Sequence, residues 1–326
     1  MFTLSVVVET FPIAGRFVIA RGAKTEANVV VATVSDGTHT GRGECVPYAR
    51  YGESVDGVVE SIRAVTKEIE AGADRTALQA LLPPGAARNA VDCALWDYEA
   101  KRSGLPAYRL AGLDRLSPAT TAFTLSVGSP DEMGHAARAA ADRPILKIKL
   151  AGDGDHERLA AVREGAPESQ LIIDANEAWR DATVEENIAL CSKYRVSLIE
   201  QPLPVGQDAC LAAIRRTVPI CADESVHTGG DLAALTDRYD AVNIKLDKAG
   251  GLTAALAMAD EAHRLGLGIM VGCMVGTSLA MAPALLLAGR ARFVDLDGPL
   301  LLARDRAPGL RYDGSVVSPP DPALWG

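Results

Sequence analysis

Leu171-Ile172-Ile173-Asp174-Ala175-Asn176 is a short apolar run that ends in a carboxylate and an amide. A strand buried on both faces reads as a continuous hydrophobic run, and a charge at its end needs a use. Seven further short apolar runs occur, at residues 122–127, 145–150, 197–201, 220–224, 241–246, 268–273 and 292–297. Each is followed by a stretch long enough for a loop and a helix, so the chain repeats a strand–loop–helix unit. Eight such units over about 180 residues predict a parallel (β/α) barrel. A doubly wound open sheet is the alternative, and eight matched buried strands serve it less well.

Upstream of the repeat the texture differs. Residues 4–10 and 28–35 read as strands, and Asp36-Gly37 is a hairpin signal. Helical stretches follow at 55–71 and 85–103. The second has an apolar stripe through Ala90, Cys93, Ala94 and Trp96 and stops at Gly104-Leu105-Pro106. These strands and helices predict an α+β domain over residues 1–117. The segment 302–326, with Pro308, Pro319, Pro320 and Pro322, is expected to complete it, leaving 118–301 to the barrel.

Composition narrows the function classes. The 326 residues are 48% hydrophobic and 23% charged, as in a globular protein. The longest uncharged apolar stretch, 278–289, is broken by Pro283 and is too short to span a bilayer. The first residues lack a basic n-region, so a signal peptide is not expected. A net charge of −9 without a Lys/Arg cluster speaks against nucleic acid as a partner. The six cysteines form no CxxC pair and read as reduced core residues of a cytoplasmic protein. The five histidines form no ligand pair, so any metal site should be built of oxygen.

Three consecutive runs carry acids at equivalent ends: Asp174, Glu200 of Leu198-Ile199-Glu200-Gln201, and Asp223 of Cys221-Ala222-Asp223-Glu224. Each alone could cap the next helix. Together, at the C-terminal face of a barrel, they converge and repel unless a cation neutralises them. An all-oxygen set on rigid strands suits Mg²⁺.

Lysines supply the second anomaly. In Ile145-Leu146-Lys147-Ile148-Lys149-Leu150 the period of two puts Lys147 and Lys149 on one face and the apolar residues on the other. Lys245, in Val242-Asn243-Ile244-Lys245-Leu246, enters the same way from across the barrel. Lys193 and Lys248 read as solvated. A lysine crowded by a second cation loses basicity and becomes a usable base, so Lys147 is expected to activate Lys149. A metal on the substrate carboxylate stabilises the enolate formed when an α-proton leaves. Two lysines on opposite faces permit removal on one side and return on the other, which is racemisation or epimerisation.

These residues resemble the muconate-lactonizing subgroup of the enolase superfamily, and within it the dipeptide epimerases. The likeness runs through 43–54 (Gly-Glu-Cys-Val-Pro-Tyr-Ala-Arg-Tyr-Gly-Glu-Ser), 90–97 (Ala-Val-Asp-Cys-Ala-Leu-Trp-Asp), Lys147-x-Lys149, Asp174-Ala175-Asn176, Glu200-Gln201-Pro202, Asp223-Glu224-Ser225 and Asn243-Ile244-Lys245-Leu246. It implies a (β/α)7β barrel with a capping domain, and epimerisation of a dipeptide at its C-terminal residue, with L-Ala-D/L-Glu as the expected substrate. It implies Lys149 and Lys245 as the two bases and one Mg²⁺, replaceable by Mn²⁺, on Asp174, Glu200 and Asp223. Asp295 and Asp297 would bind the substrate ammonium. Thr124, Lys147, Asn176 and Cys273-Met274-Val275 would line the substrate site. Cap loops near 20–26 and 48–54 would add Lys24 and Tyr51. Glutamate-selective relatives carry Arg about where Lys24 stands, and Arg16, Arg21 or Arg50 could supply that fork instead. A homo-oligomer is compatible with the resemblance. An o-succinylbenzoate synthase or N-acylamino acid racemase, and a muconate cycloisomerase, share the scaffold but need no ammonium site. A barrel kept only to bind a ligand would not need all five catalytic and metal positions.

Overall fold

A computed structural model describes residues 2–326. The chain opens with an antiparallel sheet of β1 (Thr3–Ile19), β2 (Gly22–Ser35) and β3 (Thr40–Cys45), in that order. The Asp36-Gly37 turn forms where expected: Gly37 has φ 90°, and Asp36 Oδ1 accepts the N–H groups of Thr38 and His39, both at 2.7 Å. The expected loop at 20–26 is instead the tip of a long hairpin. Ile19 pairs with Gly22, and Lys24 pairs with Phe17 inside the ladder.

Five helices follow: α1 (Val55–Ala64), α2 (Thr66–Glu70), α3 (Arg75–Leu81), α4 (Ala86–Ser103) and α5 (Ala107–Leu110). The single helix expected over 55–71 is broken at Val65, whose ψ is 7°. Val65-Thr66, two β-branched residues in succession, is a weak place in a helix. Helix α4 is buried along nearly its whole length and ends at Gly104 with φ 70°. Strand β3 lies directly on it. A Cβ at Gly43 would stand 2.2 Å from the Ala90 carbonyl oxygen, so only glycine permits this approach.

After the short β4 (Ala119–Thr120) come eight parallel strands: β5 (Phe123–Leu125), β6 (Ile145–Lys149), β7 (Gln170–Asp174), β8 (Val196–Glu200), β9 (Ile220–Ala222), β10 (Ala241–Ile244), β11 (Gly268–Val271) and β12 (Phe293–Val294). Neighbours in sequence are neighbours in space. A parallel bridge between Thr121 and Val294 joins the last strand to the first and closes the ring. The barrel alternative is therefore the one realised. Leu146 and Ile148 of β6 join the apolar layer outside the ring. Its floor is packed with Ile172, Leu198, Cys221, Met270 and Phe293.

The outer layer holds α6 (Pro130–Ala139), α7 (Asp155–Gly165), α8 (Asp181–Lys193), α9 (Leu246–Ala249), α10 (Leu252–Arg264), α11 (Ser278–Ala284) and α12 (Gly298–Leu301). The repeat of one helix per unit fails twice. After β8 and β9 there are only 3-10 turns, at Ala209–Ala212 and Gly229–Leu235. Pro202, Pro204 and Gly206 break the first connection, and Gly229-Gly230 weakens the second. Strand β13 (Tyr312–Asp313) pairs with β14 (Val316–Val317), which in turn pairs with β4. The end of the chain returns to α4: Trp325 Nε1 donates to the Cys93 carbonyl at 3.0 Å and the Gly326 N–H to Asp97 Oδ1 at 2.7 Å. All six cysteines are free. No helix among the described residues is long and apolar enough to cross a membrane.

Candidate active site

Consecutive parallel strands in register bring their last residues side by side. Asp174 at the end of β7 pairs with Lys149 of β6 on one side and Glu200 of β8 on the other, and Asp223 follows β9 directly. Carboxylate oxygens of Asp174, Glu200 and Asp223 all lie within 4.8 Å of one another, and all three residues are buried. Among the described residues no other such group occurs, and no histidine or cysteine enters this one.

Four lysines answer these charges. Lys149 Nζ lies 2.6 Å from Asp174 Oδ2, and Lys245 Nζ lies 2.6 Å from Asp223 Oδ2. Lys147 Nζ lies 2.7 Å from both Glu200 Oε2 and Asp295 Oδ2, and 3.4 Å from Asp174 Oδ2. Burial lowers a lysine's proton affinity, but Asp295, Glu200 and Asp174 outweigh it and hold Lys147 well above the usual ammonium range. The expectation that Lys147 acts on Lys149 as a bare second cation is therefore corrected. Three carboxylates surround it, and one of them stands between the two lysines.

The fourth lysine is Lys248, expected at the surface. It is 2% exposed, and its Nζ donates to the Asp223 carbonyl at 2.6 Å and to Asp223 Oδ1 at 2.5 Å. Strand alternation cannot reveal it, because it sits in the one-turn helix α9 just beyond the strand end. Its spacing of three from Lys245 is the signal that turns it back to the same carboxylate.

The acids have opposite tendencies. Burial would raise the Asp174 carboxyl, but Lys149 and Lys147 hold it at about 2. Burial and the Asp174 charge push Glu200 up to about 7. Glu200 Oε1 accepts from Asn243 Nδ2 at 2.8 Å, while Oε2 is answered by the Lys147 ammonium at 2.7 Å. Asn176, with φ 45°, gives its N–H to Asp174 Oδ1 at 2.9 Å and leaves a buried, unpartnered Oδ1. Three clustered anions, the unpartnered Asn176 Oδ1 and an oxygen-only donor set fit a hard divalent cation. Gln201 braces the third acid, its Oε1 accepting the N–H groups of Asp223 and Ser225.

Just beyond strand β12, the two aspartates expected to bind the substrate ammonium are partly answered within the protein. Asp295 Oδ2 pairs with Lys147, and Asp297 Oδ2 accepts the Thr124 N–H at 2.7 Å. Asp295 Oδ1 remains buried without a partner. Burial and Asp295 push the Asp297 carboxyl up to about 7. Burial and the charges of the same two aspartates raise the Cys273 thiol. Met274 is buried and Val275 half-buried.

The cap closes the remaining side. Tyr51 stacks edge-on against His227 with ring centroids 4.4 Å apart. Arg21, at the hairpin tip, donates to Glu224 Oε1 at 2.6 Å and to Glu177 Oε2 at 3.1 Å, and Arg50 grips Glu177 with two nitrogens. Both arginines are thus committed to barrel carboxylates. Lys24 and Arg16 are exposed, with Lys24 Nζ 5.2 Å from the Tyr48 ring centre.

The enolase C-terminal domain-like family matches residues 132–316, and the mandelate racemase/muconate lactonizing enzyme N-terminal domain matches residues 1–112. The chain belongs to the mandelate racemase/muconate lactonizing enzyme family. It is 45% identical to an L-Ala-D/L-Glu epimerase of Escherichia coli (strain K12), over 96% of this chain and 98% of that one. It is 44% identical to an N-acetyl-D-glutamate racemase of Pseudoalteromonas sp, over 91% and 95%. A family member of Agrobacterium tumefaciens with homology to dipeptide epimerases, solved with sodium and L-Ala-L-Glu, is 56% identical over 100% of both chains, with a TM-score of 0.99. Within the family the chain falls among the racemases and epimerases, which are isomerases.

Proposed function

We propose that the protein interconverts the epimers at the α-carbon of a dipeptide's C-terminal residue, with L-Ala-D/L-Glu as substrate. The observation that carries this reading is the placement of Lys149 and Lys245. Lys149 ends β6 and Lys245 follows β10 directly, four strands away in an eight-stranded ring, and the two flank one carboxylate triad. An α-carbon held between them meets one amine on each face. Asp223 answers the Lys245 ammonium against the effect of burial, and Lys245 would be the donor when Lys149 accepts. The reverse turnover exchanges the roles.

Asp174, Glu200 and Asp223 would hold Mg²⁺, whose charge would bind the substrate carboxylate and stabilise the negative charge left by proton removal. The open oxygen of Asp295, with Asp297 beside it, suits the substrate's ammonium. Arg21 and Arg50 are paired elsewhere, which leaves the exposed Lys24 and Arg16 to read an acidic side chain, and Lys24, beside the Tyr48 ring, is the first candidate. Lys24→Ala should therefore weaken L-Ala-L-Glu more than L-Ala-L-Ala. An unchanged preference would move that contact to Arg16.

The test is a dipeptide library in D₂O with mass spectrometry of the α-carbon. L-Ala-L-Glu should take up deuterium and yield its epimer in the presence of Mg²⁺. No exchange with any dipeptide would sink the reading. One observation favours a second substrate class: Lys147 and Thr124 already answer part of the charge of Asp295 and Asp297, so an uncharged acylated nitrogen could lie there. N-acetyl-D-glutamate belongs in the same screen, and faster turnover of it than of any free dipeptide would make the protein an N-acylamino acid racemase.

A further inference from the structure

We propose that Lys248 is a positioning residue for Asp223, held in place by helix α4 of the cap. The inference rests on the reading of Asp174, Glu200 and Asp223 as a cation site. Lys248 is the one lysine of the four that touches both the main chain and the side chain of a single acid. Contact with the carbonyl and Oδ1 together fixes the Asp223 carboxylate by two points and leaves Oδ2 turned toward the triad. Lys245 holds that second oxygen here, and a lysine that exchanges protons with substrate cannot hold it throughout. Lys248 does not face the reacting carbon, so its hold persists.

The segment that carries Lys248 is gripped from outside the barrel. Arg88 of α4 donates to the carbonyls of Ala249 at 2.7 Å and Gly250 at 3.0 Å, the last of this one-turn helix. Asn89 Nδ2 and the Val46 N–H both donate to Asp247 Oδ1, at 2.8 and 3.0 Å. Asp92 Oδ2 accepts the Thr253 N–H at 2.9 Å, and Trp96 Nε1 donates to Thr253 Oγ1 at 2.9 Å. Gly251, with φ 111°, brings the backbone so close that a Cβ there would meet Asp92 at 2.5 Å. The motif around residues 90–97 touches none of the three acids. Its neighbours Arg88 and Asn89 and its own Asp92 and Trp96 instead hold residues 247–253.

Mn²⁺ binding by the full chain, read by electron paramagnetic resonance, tests the proposal without any turnover. Lys248→Met keeps the length and removes the donors. It should bind Mn²⁺ about 10–100-fold more weakly than the parent, as loss of a group that orients a ligand does. Lys248→Gln, which can still donate to the carbonyl, should recover part of the loss. Mere charge repulsion predicts the opposite sign, so tighter or unchanged binding by Lys248→Met overturns the proposal. Circular dichroism of the metal-free variants checks that they fold. Should Lys248→Met not fold, Arg88→Lys, which shortens the grip on α9 and leaves Lys248 intact, carries the test, and parent-like affinity in it overturns the proposal. A parent protein that takes up no Mn²⁺ would instead refute the cation site itself.

Discussion

Lys149 and Lys245 do the same chemistry on opposite faces, so removing either has a handed consequence. Lys149→Ala and Lys245→Ala should each lose epimerisation by at least about 10²-fold, in line with loss of a positioned acid or base. Each should still wash out the α-proton of one epimer in D₂O, and the two variants should retain opposite epimers. Exchange of both epimers by either variant would contradict the two-face assignment. Asp295→Asn should cost a free dipeptide about 2 kcal/mol or more in kcat/KM, as a buried charge loses its partner. It should cost an N-acetylated dipeptide less, and equal losses would separate Asp295 from the ammonium. Lys149 was legible in the sequence because strand alternation sets its direction, and the acids because they recur at equivalent strand ends, Asp174 and Glu200 as the last strand residue and Asp223 just after it. The pairing of Lys147 with Asp295 was not. They stand on β6 and β12, with β5 between, and only closure of the ring brings them together.

At the scale of elements, the barrel strands were legible because buried parallel strands leave an unbroken apolar trace. The two missing helices were less so, since a connection of suitable length does not show whether its hydrogen bonds close as a helix. The contact of β3 with α4 could be read only in three dimensions. Gly43 is ordinary in sequence, yet a methyl there would run into the Ala90 carbonyl and the Ala94 nitrogen. Gly43→Ala should therefore destabilise the protein by about 1–3 kcal/mol, the usual cost of overpacking. Thermal unfolding checks this, and a variant as stable as the parent would show that α4 can move away.

For the molecule as a whole, the interface between the cap and the barrel buries acids that ordinary proteins leave in water. Burial pushes Asp247 up to about 7 and Asp92 up to about 6. A carboxyl whose folded value is raised binds more protons folded than unfolded between the two values. The contribution of each such group to stability is then greatest below about 3.8 and declines as pH rises toward 7, by at most about 1.4 kcal/mol per pH unit. Asp247→Asn removes one of these groups and keeps the acceptor for Val46 and Asn89. Its stability relative to the parent should therefore grow between pH 4 and 7, as read by urea unfolding at each pH. A constant difference across that range would mean that Asp247 is ionised in both states.

The return of residues 323–326 to α4 bears on how the protein is made. Cys93 and Asp97 bond to Trp325 and Gly326, Arg42 to the carbonyls of Ala323 and Leu324, and Pro12 to Ala303. A ribosome releases the first partner of each pair about 200 residues or more before the second, many seconds at ordinary rates of elongation. Through that interval the face of α4 that later holds the indole of Trp325 is open to water and to other nascent chains. Contacts so distant in sequence are among the slowest to form, so this face of α4 is covered only after the last residues of the chain have been made.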